Sequence, residues 1–203
     1  MDNIEKELEA GRAVILPTET VYGIFAKALD QEAVDYIYEL KRRPRDKALN
    51  LNVADEKTIR IYSKNQPSYL TKLIHSFLPG PLTIILQANE KVPNWIRSGL
   101  DTVGFRIPAH PKTLDLIRKF GPLVGPSANL SGHASGTKYR AIVSEFDQVV
   151  PGIEDDDFLT GQDSTILDIS SSKSRILRQG SITKADLLAQ VPELSFEEDE
   201  LPQ

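Results

Sequence analysis

The sequence predicts an α/β protein, an open, twisted, mixed sheet with helices on its faces, in one domain of roughly residues 1–190. Three observations lead there. Stretches with apolar residues three and four apart alternate along the chain with short apolar or every-other-residue runs. No internal repeat or low-complexity linker separates them. The length of 203 residues fits one large domain with a single core.

The elements follow in order. Residues 3–10 read as a helix that Gly11 ends, and Ala13–Leu16 as a short buried strand closed by Pro17. Over residues 31–41, Val34, Ile37, Tyr38 and Lys41 fall on one helical face, and Pro44 disfavours helical geometry at Arg43. Leu49, Leu51 and Val53 alternate with Asn50 and Asn52, the pattern of a half-buried strand. A helix fits 67–77, and Pro79-Gly80-Pro81 makes a tight connection into Leu82–Leu86, whose unbroken apolar run suits a central strand. Thr102–Ile107 reads as a strand, 111–120 as a helix, and Leu123–Val124 as a strand running into Gly125-Pro126. Beyond a polar loop, 137–146 reads as a helix and 147–150, 164–169 and 175–178 as strands. A last helix covers 183–190, with Thr183 as cap and Asp186 three positions on.

Composition excludes several chemistries. With no cysteine there is no disulfide, thiolate zinc site, iron–sulfur cluster or Cys nucleophile. No apolar run approaches the ~18 residues that cross a bilayer. The segment Met1–Lys6 lacks the layout of an export signal, so a cytoplasmic protein without membrane contact is expected. The net charge of −5 comes from residues 191–203, which hold five acids and no base. That stretch reads as a solvated, mobile acidic tail, and the remainder is neutral. His75, His110 and His133 show no metal-ligand spacing, and there is no Walker loop, dinucleotide glycine fingerprint or nucleophile elbow.

Four polar segments lie at predicted strand ends, where clefts of α/β folds open. In Lys41-Arg-Arg-Pro44, proline pushes Arg43 toward extended geometry, which would put Lys41 and Arg43 on one side as a phosphate clamp that Lys47 could join. A solvated helix end explains the same cations. Gly125–Gly132 offers Ser127 and Asn129, again two apart, to phosphate oxygens or hydrated Mg²⁺, or is an ordinary turn. Pro17–Gly23 carries three hydroxyl groups and one carboxylate, more than a helix cap uses. Arg106 and Arg178 each close a predicted strand, able to fork a carboxylate or phosphate or to form a surface ion pair.

Taken together and in order, these segments resemble the YrdC/TsaC family, the threonylcarbamoyl-AMP synthases. The resemblance rests on Pro17-Thr-Glu-Thr-Val-Tyr-Gly23, Lys41-Arg-Arg-Pro44 with Lys47, Pro79-Gly-Pro-Leu-Thr83, Val103-Gly-Phe-Arg-Ile-Pro-Ala-His-Pro111, Gly125-Pro-Ser-Ala-Asn-Leu-Ser-Gly132, Ser164-Thr165 and Ile176-Leu-Arg-Gln-Gly180, from about residue 13 to 182. It implies a single YrdC-like domain with a large positively charged cleft. It also implies synthesis of threonylcarbamoyl-adenylate and pyrophosphate from L-threonine, bicarbonate and ATP with Mg²⁺. The product feeds N6-threonylcarbamoyl modification of tRNA adenosine 37 by a tRNA threonylcarbamoyl-transferase complex.

Position by position, the family's Lys-x-Arg and Ser-x-Asn pairs fall on Lys41, Arg43, Ser127 and Asn129, and since a carbamate must approach a phosphate, Lys41 and Arg43 are expected to act with Mg²⁺ as the catalytic cations. Arg43, Lys47, Thr102, Asn129, Thr137 and Arg178 would contact the nucleotide; Thr20, Arg106, Ser127 and Ser164 would contact threonine. Mg²⁺ would be held mainly by phosphates and water. The chain departs from the family at Gly136, where many members have proline, and at Asn52, where longer members have a histidine near threonine. The extra C-terminal domain of the long form is absent from this sequence.

Other readings are an RNA-binding module using residues 41–47, a carbamoyl-transfer domain like that of hydrogenase maturation, or an inactive anion-binding fold. The first predicts salt-dependent RNA affinity without threonine-dependent ATP turnover. Weak tRNA or double-stranded RNA binding is also compatible with the synthase reading.

Overall fold

The computed structural model describes residues 2–147 and 149–197. Helices and strands alternate: α1 (Asp2–Glu9), β1 (Val14–Leu16), β2 (Gly23–Lys27), α2 (Gln31–Leu40), β3 (Leu51–Asn52), α3 (Glu56–Tyr62), β4 (Ser63–Lys64), α4 (Leu70–Phe77), β5 (Leu82–Ala88), α5 (Asn94–Arg97), β6 (Thr102–Arg106), α6 (Pro111–Phe120), β7 (Leu123–Val124), α7 (Tyr139–Ser144), a 3₁₀ turn at Asp156–Phe158, β8 (Thr165–Asp168), β9 (Arg175–Arg178) and α8 (Lys184–Gln190). The sheet runs β1-β2-β7-β3-β6-β5-β8-β9, with β4 beside β5. It is mixed, as predicted: β3/β6 and β5/β8 are parallel, the other pairs antiparallel.

The period of two in β1 sends Val14 and Leu16 to one face and Ile15 to the other. On the first face, Ile4 and Leu8 of α1 and Leu116 and Ile117 of α6 close over Val14, Leu16, Phe25 and Leu123. The larger core on the second face joins α2, α4 and α8 to the sheet through Val34, Ile37, Leu73, Ile74 and Leu187. No helix among the described residues is long and apolar enough to cross a membrane.

Several boundaries differ from expectation for identifiable reasons. The strand expected at 147–150 includes residue 148, outside the described residues; Val149 and Val150 lie in no strand. The pairing occurs slightly later, where Ile15 N–H donates to Pro151 O and Ile153 N–H to Ile15 O. Gly152 makes it feasible, because a Cβ there would strike the Ile15 backbone and the Tyr139 ring. The alternating run at 49–53 keeps only two strand residues, and its polar side is not solvent: Asn50 and Asn52 face a cleft. The sequence reading also omitted β2, α3, β4 and α5.

Packing continues past the expected boundary at residue 190. Val191 and Leu194 are buried, and Ser174 N–H donates to Ser195 O at 2.7 Å while Glu197 N–H returns to Ser174 O at 3.3 Å. Residues 191–197 are therefore anchored by their apolar members, which the acid count of the segment obscured. Residues 198–203 of the predicted tail lie outside the described residues.

Candidate active site

A cleft of about 250 Å³ opens where the ends of β3, β5, β6 and β8 meet the loops before β2 and after β7. Those two loops are stitched together: Ile24 N–H donates to Pro126 O at 2.9 Å and Ala128 N–H to Tyr22 O at 2.8 Å. The turn after β9 closes the far side. Gly180 lies against the Asp163 and Thr165 backbone where no Cβ would fit.

Three guanidinium groups line the cleft, from Arg43, Arg106 and Arg178, with Asp163 the one carboxylate among the described lining residues. Arg106 ends β6. Its Nη2 donates to Glu19 Oε1 and Thr20 Oγ, each at 2.7 Å, while its buried Nε has no partner. Glu19 is fixed in turn by the Ala109 N–H at 2.9 Å, and Thr18 Oγ bonds Val21 O at 2.6 Å. Thr20 therefore stands behind Arg106 and braces it, while Thr18 lines the cleft.

Arg178, at the end of β9, holds Ser164 twice: Nε to its carbonyl at 2.9 Å and Nη2 to its hydroxyl at 3.0 Å. The Ser164 hydroxyl also lies 3.1 Å from Thr83 Oγ, and both residues are buried. Asp163 accepts from Ser135 Oγ at 3.2 Å and sits 3.7 Å from Arg178.

The basic segment after α2 behaves differently from its sequence reading. Lys41 caps the helix. Arg42 N–H bonds Glu39 O and Arg43 N–H bonds Tyr38 O, with Arg42 in the left-handed region at φ 49°. This is the bond pattern of a Schellman motif, and it reverses the chain between the two cations. The two cations are therefore not joined by the extended run that the proline suggested, since Lys41 keeps helical geometry and Arg42 is left-handed. Arg43 lines the cleft, anchored by Nη2 to Ala48 O at 2.8 Å, and burial lowers its pKa. Lys41 turns inward, is 2% exposed, and its Nζ donates to the carbonyls of Ser127 and Asn129. Burial first, then the charge of Arg43, lowers its pKa to about 7, with Glu145 opposing.

Of the other expected contacts, Ser127 and Ser164 line the cleft. Asn129 is buried beside it, with Nδ2 donating to Leu130 O and His133 O and Oδ1 without a partner. Lys47 is exposed, and its carbonyl receives Tyr38 OH at 2.8 Å. Thr102 opens β6 at the end away from Arg106, and Thr137 sits in the loop before α7; neither lines the cleft. On the surface Arg42 pairs with Asp147 and Arg45 with Asp35, which offsets much of the positive charge of the segment. Residues not singled out from sequence include Glu19, Thr18, Asn50, Thr83 and Asp163. The hydroxyl-rich run at 17–23 marks the first two only as a group, and Thr83 ends the Pro79-Gly-Pro-Leu-Thr83 stretch.

Fold and cleft define an α/β protein whose mixed sheet brings three arginines and a set of fixed hydroxyls to one cleft at its strand ends. The chain belongs to the Sua5/YciO/YrdC family, whose sequence model, described as "Telomere recombination", matches residues 6–180. It is 38% identical over 177 residues to a threonylcarbamoyl-AMP synthase of Pyrococcus abyssi, covering 86% of this chain and 52% of the relative. A Bacillus subtilis threonylcarbamoyl-AMP synthase is likewise 38% identical over 185 residues, covering 90% and 54%. The crystal structure of P. abyssi Sua5 complexed with L-threonine superposes with a TM-score of 0.89 at 35% identity, over 96% of this chain and 58% of that one. The chain thus spans about half the length of these relatives.

Proposed function

We propose that this protein makes threonylcarbamoyl-AMP and pyrophosphate from L-threonine, bicarbonate and ATP, for N6-threonylcarbamoyl modification of tRNA adenosine 37 by a downstream transferase complex. The observation that carries this is the convergence of Arg43, Arg106 and Arg178 on one cleft with fixed hydroxyls between them. Relatives at 38% identity bear the synthase name, and the P. abyssi protein binds L-threonine.

Arg106, which lines the cleft and is held in place by Glu19 and Thr20, meets the threonine carboxylate with its guanidinium. Thr18, Ser127 and Ser164 supply hydroxyls to the amine, the side-chain hydroxyl or the added carboxylate. Thr20 contributes by bracing Arg106. The neutral amine captures CO₂ derived from bicarbonate, forming an N–C bond and releasing a proton. A carbamate oxygen then attacks the α-phosphate in line, and pyrophosphate leaves.

Bringing two anions together costs several kcal/mol unless cations offset it in a water-poor site. Arg43 and Arg178 take that role against the phosphates, with exposed Lys47 at hand and Asn129, Thr102 and Thr137 as further nucleotide contacts drawn from the family resemblance. Mg²⁺ would neutralise phosphate charge. The donor set suits an ion held mainly by phosphate oxygens and water, with Asp163 as its one protein carboxylate.

The deciding experiment measures pyrophosphate release from ATP with and without L-threonine and bicarbonate, with serine for comparison. Release that depends on threonine and bicarbonate is expected; release indifferent to threonine would remove the synthase reading.

A further inference from the structure

We infer that Lys41 is a positioning residue: its amine holds the backbone of Ser127 and Asn129 in the cleft wall and does not meet the anionic reactants. The inference deepens the synthase reading and rests on it for its kinetic arm.

The Pro126–Ser131 turn directs two carbonyl groups, of Ser127 and Asn129, toward the protein interior. Buried carbonyls need donors, and Lys41 Nζ donates to both. The carbonyl of Lys41 accepts the Ser131 N–H at 3.0 Å, so one residue grips the turn at three points. With its side chain buried and absent from the cleft lining, Lys41 has no route to a phosphate while that grip holds.

A grip of this kind is indifferent to charge. An ammonium carries three N–H donors and a neutral amine keeps two, enough for two carbonyls. Attraction to a phosphate would instead vanish with the proton. The charged groups that bear on Lys41 are Arg43, which disfavours its protonated form, and Glu145, which favours it. His133 lies 3.6 Å from Glu145 and belongs to the same surroundings.

The test uses the full chain. The ratio of wild-type to Lys41→Met kcat/KM for ATP is expected to stay within twofold from pH 6 to pH 9. A ratio that falls about a hundredfold across that interval would show that Lys41 acts through its charge and would overturn the inference. Hydrogen exchange reads the grip without turnover. Amides of 128–133 should exchange at least tenfold faster in Lys41→Met with the sheet unchanged, whether or not the chain proves to be a synthase; unchanged exchange would overturn the inference while leaving the synthase reading intact. Should the variant not fold, the unaltered protein still decides. Lys41 should react with an amine-acylating reagent at least a hundredfold more slowly than Lys47, with or without ATP, and rapid, ATP-protected acylation of Lys41 would count against the assignment.

Discussion

Arg106 enters the cleft already paired, its Nη2 held 2.7 Å from Glu19 Oε1, with both side chains largely withdrawn from solvent. The pair leaves one face of the guanidinium fork bound to protein and its Nε without a protein partner. Removing Glu19 should therefore harm stability as well as binding. Glu19→Ala leaves a buried charge and the Ala109 N–H uncompensated, and should destabilise by about 3–5 kcal/mol in urea unfolding. Glu19→Gln, which keeps an acceptor, should lose less. Equal losses for the two variants would mean that charge is not what holds Arg106.

Arg43→Ala tests charge stabilisation directly. Its guanidinium is anchored by carbonyls of its own loop, so truncation should leave the fold intact. Pyrophosphate release at saturating threonine and bicarbonate should fall by about 10² to 10³, the range for a single preorganised donor. Near-normal release would assign the work elsewhere in the cleft.

Arg42 occupies a left-handed position at φ 49° that favours glycine, and its own side chain reaches only an exposed ion pair with Asp147. Arg42→Gly should leave stability unchanged or raise it by up to about 1 kcal/mol. A clear drop in the thermal midpoint would show that the Asp147 pair matters more than backbone geometry.

The buried Lys41 gives stability a definite pH dependence. Its folded pKa of about 7 lies below the ordinary 10.5, so between those values the unfolded chain binds more protons. Stability should rise with pH across that window, by up to about 1.4 kcal/mol per pH unit from this group, and the contribution is flat below it. Urea midpoints at pH 7 and pH 9 should show the gain in the wild type and not in Lys41→Met.

Elements with strong local punctuation were legible in the sequence. Helix α6 spans 111–120 as read, because Pro111 stands at its first turn and Gly121 takes φ 81° after it. In α8, Thr183 and Asp186 form the capping box that their spacing announced. By contrast β2, Gly-Ile-Phe-Ala-Lys, is buried along nearly its whole length, so it shows no alternation to separate it from the polar loop before it. The same limit applied to the site. Arg43, Arg106, Arg178, Ser127 and Ser164 could be picked out as cleft residues, but the inward turn of Lys41 depends on a left-handed arginine that nothing in the local sequence marks. Asn50 and Asn52 looked solvent-facing because a strand pattern cannot distinguish bulk water from a cleft.

The cleft wall draws on Thr18 near one end of the chain, on Arg43 and Ser127 between, and on Ser164, just before β8, and Arg178, at the end of β9, at one margin of the sheet. During synthesis on the ribosome the early segments would emerge with their polar groups facing nothing, and the pocket would come into being only once β8 and β9 had docked alongside β5. Nascent chains stalled before Arg178 should therefore be silent toward ligand, however much of the first half has already folded.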